Sequence, residues 1–241
     1  MAETLFVSDL HLEAKHRPMT DLFLRFLRER APGADALYIL GDLFEAWIGD
    51  DAADEHDREV QRGLKELARS GVPIHLLTGN RDFLLGKDFA LASGVRLIAD
   101  PTRVDLYGTP TLLMHGDSLC TDDAGHMAFR HLARSQTWQQ AFLNRPMEER
   151  KRLARDLRQE SEALKQEKPQ EIMDVNPEAV HTTYRTAGVR HIIHGHTHRE
   201  AIHEVDVDGR NCRRYVLGDW TEKRGSILQV KPDAWCLQAF D

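Results

Sequence analysis

Five short polar clusters, each directly after an apolar run of four or five residues, constrain this 241-residue chain more than any other feature. They are Asp9-Leu10-His11, Gly41-Asp42, Gly79-Asn80-Arg81-Asp82, His115-Gly116-Asp117 and His194-Gly195-His196-Thr197-His198. Apolar runs of that length read as buried strands. In α/β folds the carboxyl ends of such strands converge on one crevice, where ligands bind. The expectation is one site assembled from five loops. Its donors are imidazole, carboxylate and amide oxygen without thiolate, a set that suits Mn, Fe, Zn or Mg better than a structural zinc. The spacing of His196 and His198 turns both rings to one side, as period two demands. An aspartate shared between two ions can bridge them at about 3.5–4 Å, the spacing used in phosphoester cleavage.

Singly, these clusters mean little. Asp and Gly are common in turns for backbone reasons. A lone histidine is usually a satisfied structural residue, and most of the 13 are placed in that class: His16, His56, His75, His126, His131, His181 and His203 among them. His194 is expected in the core or behind the ligands. The number and order of the clusters carry the metal reading.

Around them, strands and helices alternate. Strands are expected at 4–7, 36–40, 74–78 and 95–98, helices at 20–30 and 57–69, and a hairpin turning at Gly108-Thr109. After residue 200 the pattern is β-rich: 202–207, 214–217, 226–230 and 235–240, with Asp208-Gly209 as a hairpin turn. This is a layered α/β core with a strand-dominated second half. Residues 125–170 break the pattern with helical periodicity, and carry ten Lys or Arg against six Asp or Glu in a chain of net charge −7. They read as an inserted helical lid, with 1–124 and 171–241 forming the core. Trp138, Phe142, Leu143 and Met147 are open to two readings, a membrane contact or the insertion's own core.

Composition excludes other classes. With a pI near 6.0 there is no global basic field for nucleic acid. No run approaches the roughly 18 apolar residues of a membrane span, and the first residues lack the basic region of a signal peptide. Cys120, Cys212 and Cys236, odd in number and widely spaced, read as reduced cytosolic thiols.

The order D-x-H, G-D, G-N-[H or R]-[D or E], H, G-H-x-H resembles the calcineurin-like metallophosphoesterase superfamily across residues 7–220. The resemblance implies a β-sandwich flanked by helices and two divalent ions. Asp9, His11, Asp42 and His198 would hold one ion; Asp42, Asn80, His115 and His196 would hold the other, with Asp42 bridging. Most members carry His where Arg81 stands. Arginine hardly loses its proton, so it is a poor general acid, but its planar fork of donors suits phosphate oxygens. Such a site clamps a polyanion whose leaving group needs little protonation.

Arg81, the Asp122-Asp123 pair and the insertion make the chain similar to the branch of that superfamily that cleaves the diphosphate of UDP-2,3-diacylglucosamine in lipid A synthesis. This likeness implies Mn²⁺, attack on the α-phosphorus by a hydroxide activated by two metals, and release of UMP and 2,3-diacylglucosamine 1-phosphate. Arg81, Asn80 and His196 would act at the phosphoryl group. Substrate contacts would be Asn80, Arg81, Asp123, Ser161, Lys165, Lys168 and His196. The lipid substrate implies a peripheral enzyme on the cytoplasmic face of the inner membrane. No nucleic-acid partner is expected, and the oligomeric state is open, a monomer being the simplest case. A generic phosphomonoesterase or phosphodiesterase, a nuclease, and a scaffold that has lost its metals are the alternatives.

Overall fold

The computed structural model describes residues 2–167 and 174–241, with 160–167 described by backbone alone. The strands are β1 (Thr4–Val7), β2 (Ala36–Leu40), β3 (Ile74–Leu77), β4 (Arg96–Leu97), β5 (Thr102–Leu106), β6 (Thr109–Leu113), β7 (His191–His194), β8 (Ala201–Val207), β9 (Arg210–Val216), β10 (Gly225–Val230) and β11 (Trp235–Phe240). The helices are α1 (Arg17–Glu29), α2 (Glu55–Arg69), α3 (Lys87–Ser93), α4 (Ala124–Ala133), α5 (Gln136–Leu143), α6 (Met147–Glu167) and α7 (Pro177–Ala187).

Two sheets result. The first has the order β11-β10-β1-β2-β3-β4, with β1 to β4 parallel. The second has the order β5-β6-β7-β9-β8, with β6, β7 and β9 parallel. Period two sorts the strand residues into layers. Phe6, Leu40 and Leu77 of the first sheet meet Leu113, Ile193 and Tyr215 of the second between the sheets. Leu5, Val7, Leu37, Ile39 and Leu76 point the other way, against Leu22, Phe26, Leu64 and Phe89 of α1 to α3. The outer face of the second sheet packs Ile192 and Cys212 on Val180 and Tyr184 of α7. The fold is therefore a β-sandwich flanked by helices, as expected. Its strands run in near-continuous apolar stretches because both faces are covered.

Most elements fall where periodicity put them. β4 is only two residues, and β9 begins at Arg210, earlier than expected. The Asp208-Gly209 turn has φ of 55° and 75°, the two left-handed residues of a type I′ hairpin. The other hairpin turns at Tyr107-Gly108, one residue before the expected place. Two helices were missed, α3 and α7. The second carries its own start signal, Asn176 accepting from Ala179 N with Pro177 next.

Between β6 and β7, helices α4 to α6 lie on the core through their basic side chains. Arg130 Nε donates to Asp117 Oδ2 at 2.9 Å, and Arg134 Nη2 donates to the carbonyls of Thr78 and Gly79 at 3.1 Å each. Arg150 is only 4% exposed and donates to Ile48 O and Asp51 Oδ1, both at 2.8 Å. Much of the positive excess of this segment is thus spent on core acceptors. Trp138 and Phe142 stack at 5.1 Å and pack into the core beside Phe83, whereas Leu143 is exposed.

Candidate metal centre

Both sheets open their carboxyl ends to the same edge. Asp9 and His11 follow β1, Asp42 follows β2, Asn80 follows β3, His115 follows β6, and His196 and His198 follow β7. Five of these residues have left-handed backbones: Asp9 (φ 54°), His11 (49°), Asp42 (51°), His196 (69°) and His198 (59°). Such residues cost about 1–3 kcal/mol each and persist only where the surroundings over-determine them. Here the loops hold one another. Asp9 N donates to Gly41 O at 3.1 Å and His11 N to Asp42 O at 3.0 Å. Arg81 N donates to Asp42 Oδ1 at 2.8 Å, and His196 N to Asp9 Oδ2 at 2.9 Å. Two glycines make this contact possible. A Cβ at Gly79 would lie 2.0 Å from Asp42 Oδ1, and one at Gly195 2.1 Å from Asp9 Oδ2.

Asp82 does not pair with its neighbour Arg81. It is fully buried, and its two oxygens accept from Gly79 N (2.7 Å) and Leu43 N (2.8 Å), stapling the loop after β3 to the loop after β2. Burial and the adjacent Asp42 push its carboxyl up to about 6.

The ligand atoms converge in two groups, Asp9-His11-His198 and Asp9-Asp42-His115, each within 4.8 Å. Asp42 Oδ2 lies 3.9 Å from His11 Nε2 and 3.7 Å from His115 Nε2, between the groups, which is the place a bridge requires. Asn80 Oδ1 lies 3.0 Å from His115 Nε2. His196 falls outside both compact groups, its ring centroid 5.0 Å from that of His115.

The imidazoles are oriented for a cation. His115 Nδ1 donates to Leu40 O at 2.9 Å, so Nε2 is the nitrogen turned to the carboxylates, where a cation would take the place of its proton. His11 Nδ1 lies 2.9 Å from Glu45 Oε2 and His198 Nδ1 3.5 Å from Asp219 Oδ2, which leaves the two Nε2 atoms facing each other at 3.4 Å. A carboxylate behind each ring is the usual support of a metal-bound histidine. Asp9 Oδ1 is buried without a hydrogen-bond partner. This donor set fits divalent metal ions.

The electrostatics agree. Burial alone would lower His115, but Asp42, Asp117 and Asp9 outweigh it and carry it to about 9. Burial is likewise overcome at His198, which Asp219 and Asp9 raise to about 10. Burial and the charge of His115 push His196 well down, so this ring is neutral. Burial opposes, but His198, His115 and His11 hold the Asp9 carboxyl far below the usual range.

Glu45 and Asp219 were not among the expected residues. Asp219 had a signal, because Leu217-Gly218-Asp219 repeats the apolar-Gly-Asp pattern of Gly41-Asp42. Glu45 had none. It is a hub: besides His11, Arg81 Nη1 lies 3.7 Å and Arg158 Nη1 3.4 Å from its Oε1.

A cavity of about 700 Å³ is lined by His196, His198 and Asn80, by Arg81 and Asp123, and by the apolar side chains of Phe83, Phe129, Trp138, Phe142 and Leu157. His126, placed among the structural histidines by sequence, lines it too. Its ring is 5.3 Å from that of His196 and its Nε2 is buried without a partner. Asp123 caps α4, accepting from His126 N at 3.0 Å. The side chains of Ser161 and Lys165, and Lys168 altogether, lie outside the described residues.

Residues 3–200 match the calcineurin-like phosphoesterase family, and the chain belongs to it. Its similarity to particular members is close. It is 51% identical over 244 residues to the UDP-2,3-diacylglucosamine hydrolase of Stenotrophomonas maltophilia strain K279a, with 98% of each chain covered. The protein of the same name from Pseudomonas aeruginosa strain UCBPP-PA14 is 50% identical, covering 94% of each chain. That of Marinobacter nauticus is 52% identical over 91% of this chain and 90% of its own.

Proposed function

We propose that this protein hydrolyses the diphosphate of UDP-2,3-diacylglucosamine, releasing UMP and 2,3-diacylglucosamine 1-phosphate. One observation carries the reading: a cluster of carboxylates and imidazoles suited to divalent ions borders, through His198, a cavity that is also lined by apolar side chains. A phosphoester with hydrocarbon attached fills both parts, and the relatives of this chain bear the matching name.

Asp9, His11, Asp42 and His198 would hold one ion, and Asp42, Asn80, His115 and His196 the other, with Mn²⁺ the metal favoured. Ions bound there supply a water of lowered pKa and neutralise charge on the phosphoryl oxygens. The chain's own residues do the rest. Arg81 presents its fork of donors to the diphosphate and cannot give up a proton, so the cleavage relies on a leaving group that departs as a phosphate monoester. Neutral His196 stands beside the second group, able to hydrogen-bond a phosphoryl oxygen without adding charge. The aromatic wall excludes water, which strengthens each of these interactions.

Residues 125–170 act in this reading as the lid. Trp138, Phe142 and Leu157 take the acyl chains, and Asp123, Ser161, Lys165 and Lys168 take the glucosamine headgroup. Among the described residues no helix is long and apolar enough to cross a membrane. The lipid is reached by peripheral docking on the cytoplasmic face of the inner membrane, where each basic residue near anionic headgroups contributes about 1 kcal/mol.

Incubation with Mn²⁺ and UDP-2,3-diacylglucosamine should release UMP, with little turnover of a simple aryl phosphate. In ¹⁸O-water the label should enter UMP. Label in the glycolipid phosphate would move the attacked centre to the β-phosphorus, and fast aryl phosphate cleavage with no UMP would favour a generic phosphomonoesterase.

The metal can be read without turnover. Adding Mn²⁺ to protein stripped by chelator, at a hundredfold excess over Kd, should stabilise the fold by about 2.7 kcal/mol for each ion bound. For a domain of this size that is a rise in Tm of about 5–10 °C. A flat melting curve would leave the clustered carboxylates and imidazoles without the role given to them.

A further inference from the structure

The loop after β3 carries Asn80, and its backbone is held from two directions. On the core side, the amides that flank Asn80 donate to carboxylates: Gly79 N to Asp82 Oδ1 at 2.7 Å and Arg81 N to Asp42 Oδ1 at 2.8 Å. On the other side, the two carbonyls before Asn80 accept from a single side chain. Arg134, the C-cap of α4, donates from Nη2 to Thr78 O and Gly79 O at 3.1 Å each, and from Nη1 to Thr78 Oγ1 at 3.3 Å. An Nη carries two hydrogens, one for each carbonyl. Gly79 O belongs to the planar peptide group whose nitrogen is that of Asn80. Arg134 therefore holds the peptide from which the Asn80 side chain departs.

The guanidinium is itself fixed. Its Nη2 lies 3.5 Å from Asp117 Oδ2 and 3.8 Å from Asp100 Oδ2. Arg130, four residues earlier on the same face of α4, meets the same two carboxylates at 2.9 and 3.4 Å. Asp100 Oδ1 in turn accepts from His115 N at 3.1 Å. Asn80 Oδ1 and His115 Nε2, 3.0 Å apart, thus belong to two loops that are both tied to the end of α4. The ligands of the other group lean elsewhere, His11 on Glu45 and His198 on Asp219. An arginine that only pinned a helix would do what Arg150 does on Ile48 and Asp51, away from any ligand. Arg134 differs in the address of its bonds.

We propose that Arg134 is a positioning residue for the second ion: from the end of α4 it fixes the peptide that aims the Asn80 amide oxygen, so that the seating of this helix and the completeness of that ion's ligand set depend on each other. The inference rests on the assignment of Asn80 and His115 to the second ion, made above. It gives the helical segment a part in the metal centre as well as in the cavity, which Phe129 and Ala133 of the same helix also line.

Calorimetric titration with Mn²⁺ of protein stripped by chelator compares the wild type with Arg134→Met, which keeps the stem and removes the donors, and with Arg134→Lys. The wild type should take up two ions. In Arg134→Met one of the two binding steps should weaken about 10–100-fold, the loss typical of groups that orient metal ligands. Arg134→Lys should lie between, since an ammonium lacks the fork; it carries the same comparison if Arg134→Met does not fold. The kcat lost in Arg134→Met should return as Mn²⁺ is raised, with KM for UDP-2,3-diacylglucosamine little changed. Amide hydrogen exchange of residues 78–82 reads the loop in the stripped protein, and should be faster in Arg134→Met. Two unaltered binding steps, unchanged exchange, or a raised KM that Mn²⁺ does not restore would overturn the role. Fewer than two ions in the wild type would instead overturn the ligand assignment, while exchange would still decide whether Arg134 holds the loop.

Discussion

Asp42→Ala is expected to lower kcat/KM at least about a thousandfold while the protein stays folded. Asp42 lies between the two ligand groups, its Oδ2 3.9 Å from His11 Nε2 and 3.7 Å from His115 Nε2. On the proposed reading, removing it would take a ligand from both and leave the positive charge there less compensated. Activation of water and the Lewis-acid contact are each worth several kcal/mol, and each 1.36 kcal/mol is a factor of ten. Asp42 Oδ1 also accepts from Arg81 N, so the variant loosens the loop that carries Asn80. Metal content by elemental analysis, read with the melting temperature, separates loss of ions from loss of fold. A folded variant that kept a tenth of wild-type activity would sink the bridging role.

Arg81→Ala is expected to cost about 10²–10³ in kcat, the loss typical of removing one aimed donor to a developing oxyanion. Its backbone N–H to Asp42 survives the substitution, so metal content should hold. Arg81→Lys should recover only part of the loss, because an ammonium offers a point charge where the guanidinium offers a fork. If both variants came within about threefold of wild type, the side chain would serve only as a partner of Glu45, 3.7 Å away.

The strand-end clusters were legible because burial on both faces writes continuous apolar runs, and the loops that follow need glycine. Gly79 and Gly195 stand where any Cβ would strike Asp42 or Asp9, so Gly-Asn and Gly-His are packing requirements as much as ligand motifs. Helices α4 to α6 were legible from the helical period of residues 125–170. The use of that segment's positive charge was not. Arg130, Arg134 and Arg150 bond to Asp117, Thr78, Gly79 and Ile48, acceptors from 13 to 102 positions away, and no local pattern encodes such pairs.

Sequence by itself determined the succession of strands and helices and the loops on which the chemistry-bearing residues fall, because both follow from local periodicity and turn chemistry. Only the tertiary structure decided which groups stand behind the ligands. Glu45 and Asp219 reach His11 and His198 from loops after different strands, and His126, in the first turn of α4, brings its ring to 5.3 Å from that of His196. The packing of Trp138 and Phe142 on the core beside Phe83 was likewise set there. An apolar stripe records that a face is buried, while the surface that buries it is set by how distant segments close on one another.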